Sequence, residues 1–143
     1  MADPFDLQRF LDAQAPAMPA VERELLAGRK TSHWMWFVFP QLAALGQSAM
    51  ARFYGITGLE EARAFLAHPV LGPQLVRCVG LATAAPGQDS VAILGAEDAL
   101  KFRSCVTLFG VADPAEPAFP AALDRFHAGV PDARTLALLG AAG

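Results

Sequence analysis

The sequence predicts an all-α protein: one compact domain over residues 1–143, built from about seven to nine short helices. Three observations carry this. Leu and Ala together number 47 against 11 for Val plus Ile, which favours helices because β-branched side chains are stiff at χ1 and alanine is not. Helix start and stop residues punctuate the whole chain. Period-two alternation never runs beyond about four residues, and no Asn-Gly or Asp-Gly hairpin signal occurs.

Asp3 followed by Pro4 reads as an N-cap with a first-turn proline, and Leu7, Phe10, Leu11 and Gln14 then fall at i, i+3, i+4 and i+7. A helix near residues 4–14 follows. Pro16 and Pro19 interrupt it, and Pro19 opens a second helix that turns Val21, Leu25 and Leu26 inward and stops at Gly28 as its C′ residue. The apolar run Trp34 to Phe39 belongs to a helical array as a short helix. A buried strand is the competing reading, since period alone does not assign six apolar residues.

Ser48 caps a short turn of helix ending at Gly55. Thr57-Gly58-Leu59-Glu60 has capping-box spacing and predicts a helix over Glu60 to Ala67, stopped by His68-Pro69. Pro73 to Thr83 places Leu75, Val79 and either Val76 or Ala82 on one face, and the loop Ala85-Pro86-Gly87 closes it. Ser90 to Leu94 is a short apolar turn ended by Gly95. Ala96 to Val111 has Leu100, Arg103, Ser104, Thr107 and Leu108 on one face and Phe102, Val106 and Phe109 on the next. Helices at about 118–128 and 131–139 follow an Asp-Pro-Ala-Glu-Pro turn.

Composition excludes several classes. The hydrophobic fraction is 54%, but 29 of those residues are alanine, so the excess is mostly small methyl groups. No run approaches the ~18 apolar residues of a membrane span, so no membrane partner is expected. Charged residues are 17% and the net charge is −3, which argues against a DNA- or RNA-binding surface. Asp3 and Asp6 stand where a secretory signal would carry positive charge, and no apolar stretch follows, which points to the cytoplasm. Cys78 and Cys105 sit in apolar, helix-like stretches and read as reduced core residues.

The densest feature is Lys30-Thr31-Ser32-His33-Trp34-Met35-Trp36-Phe37-Val38-Phe39-Pro40-Gln41, which holds both tryptophans and four of the 13 aromatic residues. If Thr31 or Ser32 caps a short helix, its free N–H groups, both hydroxyls, Lys30 and Arg29 converge on one place that suits a phosphate or carboxylate, with a tryptophan face beside it. The simpler reading is that Trp34, Phe37 and Val38 fill the core while Lys30 and Arg29 are solvated.

His33, His68 and His127 show no i, i+4 pairing and no carboxylate at ligand spacing, so neither zinc nor any other metal is expected. His127, near a helix C-terminus, fits a favourable dipole interaction, and His68 before Pro69 fits a helix-end role. His33, beside Ser32 and the indoles, is the candidate acid or base. Ser104 and Cys105 are nucleophiles in type only, a helix-interior serine more often bonding its own i−4 carbonyl. Lys101, Ser104 and Thr107 nevertheless form a polar stripe on an apolar helix, and Arg9 and Gln14 put long polar groups on another. No phosphate-loop fingerprint accompanies them, and no cofactor is expected.

These residues carry a recognisable pattern. Asp3-Pro4-Phe5, Arg9-Phe10, Ala13-Gln14, Lys30 through Phe37, Phe39-Pro40-Gln41, Tyr54-Gly55-Ile56, Glu61-Ala62, His68 through Gly72, Lys101 and Thr107-Leu108-Phe109 resemble the bacterial domain-of-unknown-function family 1810, over about residues 3–139. Phe65, where a tyrosine is usual, and Gly110, where alanine is common, depart from it. The resemblance implies a small, mainly helical cytoplasmic protein and brings no established reaction. Some members are labelled calpastatin, after a disordered inhibitor, which this apolar, well-punctuated chain does not resemble.

The leading functional expectation is a pocket for a small anionic ligand, a nucleotide or phosphorylated metabolite. Arg9 and Lys30 or Lys101 hold the anion, Ser32 and Thr107 bond it, Trp34 or Trp36 stacks, and His33 serves as acid or base if a reaction occurs. Gln14, Gln41, His68 and Ser104 complete the candidate ligand-binding set. The alternative is a non-catalytic interaction module in which Trp34, Trp36 and Phe39 form an exposed anchor. A third reading makes the motif a rigid structural plug.

Overall fold

In the computed structural model, which describes residues 3–140 except Gln88, the chain forms nine α-helices and one 3-10 turn among the described residues, and no strand. The outermost residues of the expected domain, 1–2 and 141–143, lie outside that range. The helices are α1 (Gln8–Ala27), α2 (Met35–Val38), α3 (Ala49–Phe53), α4 (Leu59–Ala67), α5 (Leu71–Ala84), α6 (Ser90–Leu94), α7 (Ala96–Ala112), α8 (Ala118–His127) and α9 (Ala133–Leu139), with the 3-10 turn at Ala43–Leu45. The all-α expectation is therefore met, and the Trp34 to Phe39 run is helical in its centre.

The break expected between residues 14 and 19 does not occur, because α1 runs unbroken through Pro16 and Pro19. The carbonyls that lose their i+4 donors are those of Asp12 and Ala15, both exposed residues, so water can satisfy them. The helix also starts later than expected. Asp3 spans a preliminary turn, and its carboxylate accepts the N–H groups of Leu7 and Gln8 at 2.8 and 3.0 Å, which holds its pKa below the ordinary value.

The capping motif before α4 is shifted by one residue. Thr57 donates its N–H and its hydroxyl to Glu61, each at 2.9 Å, and Glu60 takes no part. Glu61 is favoured because it is buried and paired with Arg9 at 2.9 Å, whereas Glu60 faces solvent.

Helix α7 is the centre of the array. It packs against α4, α6, α8 and α9, while α5 packs against α1, α4 and α8, so α4 and α8 each bridge the two long central helices. Residues Phe102 and Ser104–Phe109 of α7 are buried, which explains why its two expected faces merge. Leu100, expected on one face with Ser104, Thr107 and Leu108, is 67% exposed while those three are buried. On α5 the buried set is Leu71, Gly72, Leu75, Cys78, Val79 and Ala82, which selects Ala82 over Val76. Cys78 and Cys105 are free and buried, and burial pushes the Cys78 thiol up to about 12 and that of Cys105 well above its ordinary value.

Aromatic contacts join the motif to this core. Trp34, Phe39, Phe102 and Phe126 meet in sequence at centroid separations of 5.9, 5.0 and 6.0 Å. A second file runs from Phe10 through Phe65 and Phe109 to Phe119 at 5.0, 5.3 and 6.1 Å. After α2 the chain is pinned by Ile56, whose N–H donates to the Gln41 carbonyl at 2.9 Å and whose carbonyl accepts the Ala43 N–H at 2.8 Å.

Gly28 ends α1 with φ +74°, and a Cβ there would lie 1.8 Å from the Pro86 carbonyl oxygen. Gly28→Ala should therefore cost about 2 kcal/mol or more, from left-handed strain plus displaced backbone, and lower the melting temperature by several degrees. Gly80→Ala, on the exposed side of α5 with nothing within 4 Å of the added methyl, should instead stabilise by about 0.5–1 kcal/mol. Thermal unfolding of both variants measures the contrast.

Candidate functional site

The residues after Gly28 must turn from α1 into α2 across the mouth of the helical array. Lys30 anchors this turn by donating its N–H to the Ile93 carbonyl at 2.7 Å, which ties it to α6. Glu24, one turn back on α1, holds the rest. Its carboxylate accepts the N–H of Thr31 at 2.7 Å, the N–H and hydroxyl of Ser32 at 2.9 and 2.6 Å, and the Trp34 indole N–H at 3.0 Å. Burial by itself would raise the pKa of this side chain. The Ser32 hydroxyl, the two backbone amides and the indole together bring it down to about 2.

The anion expected at the Thr31–Ser32 turn is thus present in the protein itself, as the Glu24 carboxylate. The amides proposed to bind a ligand are already spent there. The Ser32 hydroxyl proton is likewise directed at Glu24, and a carboxylate with so low a pKa is a poor base, so Ser32 is not an activated nucleophile.

A second carboxylate organises the opposite wall. Asp98, in the first turn of α7, meets the Lys30 ammonium at 2.8 Å and the Lys101 ammonium at 3.8 Å. Lys30 lies over the Trp34 ring at 5.0 Å from its centroid, and Lys101 near the Trp36 ring at 5.9 Å. Two lysines share one aspartate, and each faces an indole. The N-terminus of α7 beside them begins at Gly95 with no side-chain cap.

Between the motif and the α6–α7 junction lies a cleft of about 440 Å³, lined by Lys30–His33, Met35 and Trp36 on one side and Leu94–Asp98 and Lys101 on the other. A second, of about 520 Å³, runs along α7 toward α9 and takes in Gln41, Gln47, Ser48, Ser104, Asp132 and Arg134. Glu97 and Lys101 line both. Of the sequence-derived candidates, Lys30, Ser32, His33, Trp36 and Lys101 meet in the first cleft, and Gln41 and Ser104 join Lys101 in the second.

The others lie elsewhere. Arg9 donates to the carbonyls of Phe5, Asp6, Phe53 and Gly55 and to Glu61, which commits its guanidinium to tying the turn before α1 and the α3–α4 connection together. Gln14 donates to the Phe37 carbonyl at 2.7 Å and accepts from Gln74. Thr107 donates to the Arg103 carbonyl and accepts the Asp132 N–H at 2.9 Å, fixing the entry to α9. His68 Nδ1 accepts the Val70 and Leu71 N–H groups at 3.1 and 3.2 Å and so serves the start of α5. Ser104 donates to the Leu100 carbonyl at 3.2 Å although it borders the second cleft.

Two further expectations are corrected. Trp34 and Phe39 are each only 1% exposed, so the exposed anchor of three aromatics does not exist; Trp36 alone is half-buried and borders a cleft. His127 is the last residue of α8, but its Nε2 is buried without a partner among the described residues, and burial together with Arg103 holds its pKa below the ordinary value, against the dipole interaction expected there. Among the described residues no group of three or more His, Cys, Asp or Glu side chains is placed to hold a metal ion, and no described helix is long and apolar enough to cross a membrane.

The Glu24 carboxyl has a folded pKa below its unfolded value of 4.5, so its contribution is complete above about pH 5 and is lost as the pH falls toward 2. About 3 kcal/mol of stability should disappear over that interval. Glu24→Gln should lower stability by roughly 2–4 kcal/mol at pH 7 and flatten the acid limb, as measured by urea unfolding at a series of pH values. An unchanged acid limb in the variant would contradict this assignment.

A family profile described as "Protein of unknown function (DUF1810)" matches residues 4–139. The chain is also similar to the crystal structure of the conserved hypothetical protein Rv1873 from Mycobacterium tuberculosis, with 51% sequence identity and a TM-score of 0.94 over 96% of this chain and 99% of that one. No match is found among curated proteins. The protein belongs to the DUF1810 family, and the array of helices around the Ser-His-Trp-Met-Trp-Phe motif is a fold that it shares with Rv1873.

Proposed function

We propose that the cleft between the motif and α7 binds a small molecule carrying an anionic group and a planar ring, a nucleotide or a phosphorylated metabolite. The observation that carries this reading is that Lys101 of α7 meets Lys30, Ser32, His33 and Trp36 of the motif along one cleft of about 440 Å³. That volume is within the ~300–1,000 Å³ usual for small-molecule sites.

The roles differ from those the sequence suggested. Lys101 takes the anion, because its contact with Asp98 is long at 3.8 Å and its side chain is 28% exposed, whereas Lys30 is held at 2.8 Å and is 7% exposed. Lys30 instead keeps Asp98 in place. Trp36 offers the ring face, and the uncapped start of α7 adds its positive dipole end. Ser32, its proton given to Glu24, offers lone pairs only, and exposed His33 supplies a donor at the rim and the acid or base of any reaction. A cytoplasmic setting accords with two free, buried thiols.

Thermal unfolding against a panel of ribonucleotides and sugar phosphates tests the reading. A bound member at 100 times its dissociation constant should add about 2.7 kcal/mol of stability. Ligand should also change Trp36 fluorescence, a response that Trp36→Phe removes and that Lys101→Ala shifts to at least ~10-fold higher concentration. No stabilisation and no fluorescence change across the panel would end the proposal.

A further inference from the structure

The charges of the two joined clefts balance. The first pairs Lys30 and Lys101 with Glu97 and Asp98, and the second pairs Lys101 and Arg134 with Glu97 and Asp132. A bare polyanion meets as many carboxylates as cations in such a groove and gains little from the field. Two of the three carboxylates are already engaged: Asp98 by both lysines, Asp132 by the N–H and hydroxyl of Thr135 at 2.9 and 2.6 Å.

Glu97 differs. It is exposed, makes no hydrogen bond or ion pair among the described residues, and is the carboxylate that lines both clefts, as Lys101 is the cation that does so. An ionised carboxylate only accepts hydrogen bonds, so a ligand that bonds Glu97 directly brings donors. Vicinal hydroxyls are the donor pair that matches its two oxygens, as acidic side chains match a ribose in dinucleotide-binding folds. The second cleft that Glu97 lines is also lined by Gln41, Gln47 and Ser48, neutral groups suited to further hydroxyls.

We infer that the ligand is a hydroxyl-rich phosphate ester, a ribonucleotide or sugar phosphate, with its anion on Lys101 and its vicinal hydroxyls on Glu97. This rests on the ligand-binding reading above and specifies its substrate class. Glu97 thereby selects ligands that carry the hydroxyl pair. As a first-turn acid it also complements the dipole of α7, a role that affects stability and not ligand choice.

Isothermal titration of the full chain with AMP, ribose 5-phosphate, 2′,3′-dideoxy-AMP and inorganic phosphate separates the possibilities. AMP should bind ~10-fold or more tightly than its dideoxy analogue, and inorganic phosphate should be weaker than ribose 5-phosphate. Glu97→Gln should bring AMP down to the level of the dideoxy compound with the melting temperature nearly unchanged, while Lys101→Ala should weaken both nucleotides together. Equal binding of AMP and dideoxy-AMP to the native protein, or a preference that survives in Glu97→Gln, would overturn the hydroxyl assignment and leave the binding reading intact. Absence of binding by all four compounds would remove both.

Discussion

A single buried carboxylate, that of Glu24, governs the part of the molecule in which function is sought. A charge taken out of water is tolerated only when it is hydrogen-bonded, and here four donors from Thr31, Ser32 and Trp34 serve it, three on Oε1 and one on Oε2. The consequence runs in both directions. The carboxylate stays ionised because the loop bonds it, and the loop holds one conformation because the carboxylate offers four acceptor positions in a small space. With the turn so fixed, Trp34 enters the core against Phe39, Lys30 settles over the indole face, and His33 and Trp36 are left along the cleft.

The opposing wall depends on a similar economy of charge. Asp98 serves two ammonium groups at once, and each ammonium also faces an indole. The nearly buried Lys30 is thereby neutralised, which permits a lysine at the base of the cleft, and Lys101 is left as the more weakly engaged of the two. Because Lys101 lies on the border shared by both clefts, the same residue connects the motif to the groove toward α9. Arg9 and Glu61 do comparable work elsewhere, where three of Arg9's five hydrogen bonds, to Phe53, Gly55 and Glu61, hold the α3–α4 connection and the other two hold the segment before α1. Several polar residues that look functional in the sequence thus make internal bonds outside the clefts: Arg9 to carbonyls and Glu61, Gln14 to the Phe37 carbonyl and Gln74, and His68 to the amides that begin α5.

The helical array was largely legible in the sequence, since caps and glycines act locally: Ser48, Gly28 and Gly95 end or begin helices where residue chemistry places them. Pro16 and Pro19 misled because their cost depends on whether water reaches the orphaned carbonyls, a property of the folded surface. The site was legible in part. Lys30, Ser32, His33, Trp36 and Lys101 do share a cleft, but Arg9, Gln14, His68 and Thr107 do not, because residue type gives no information on which partner a long polar side chain finds. The carboxylates were missed. Glu24 carried a readable signal, falling with Phe10, Gln14, Val21 and Leu25 on the buried stripe of α1, where an unpaired glutamate would be untenable. Asp98 and Glu97 carried none, since acids in a first helical turn are the common pattern.

The hold of Glu24 on the motif is read out by amide hydrogen exchange at Thr31 and Ser32. In the native protein these amides should exchange as slowly as those of the α5 and α7 interior, despite lying in a loop with Thr31 at the surface, and in Glu24→Gln they should exchange rapidly while α5 and α7 stay protected. Rapid exchange of both amides in the native protein, or equal protection in the variant, would contradict it.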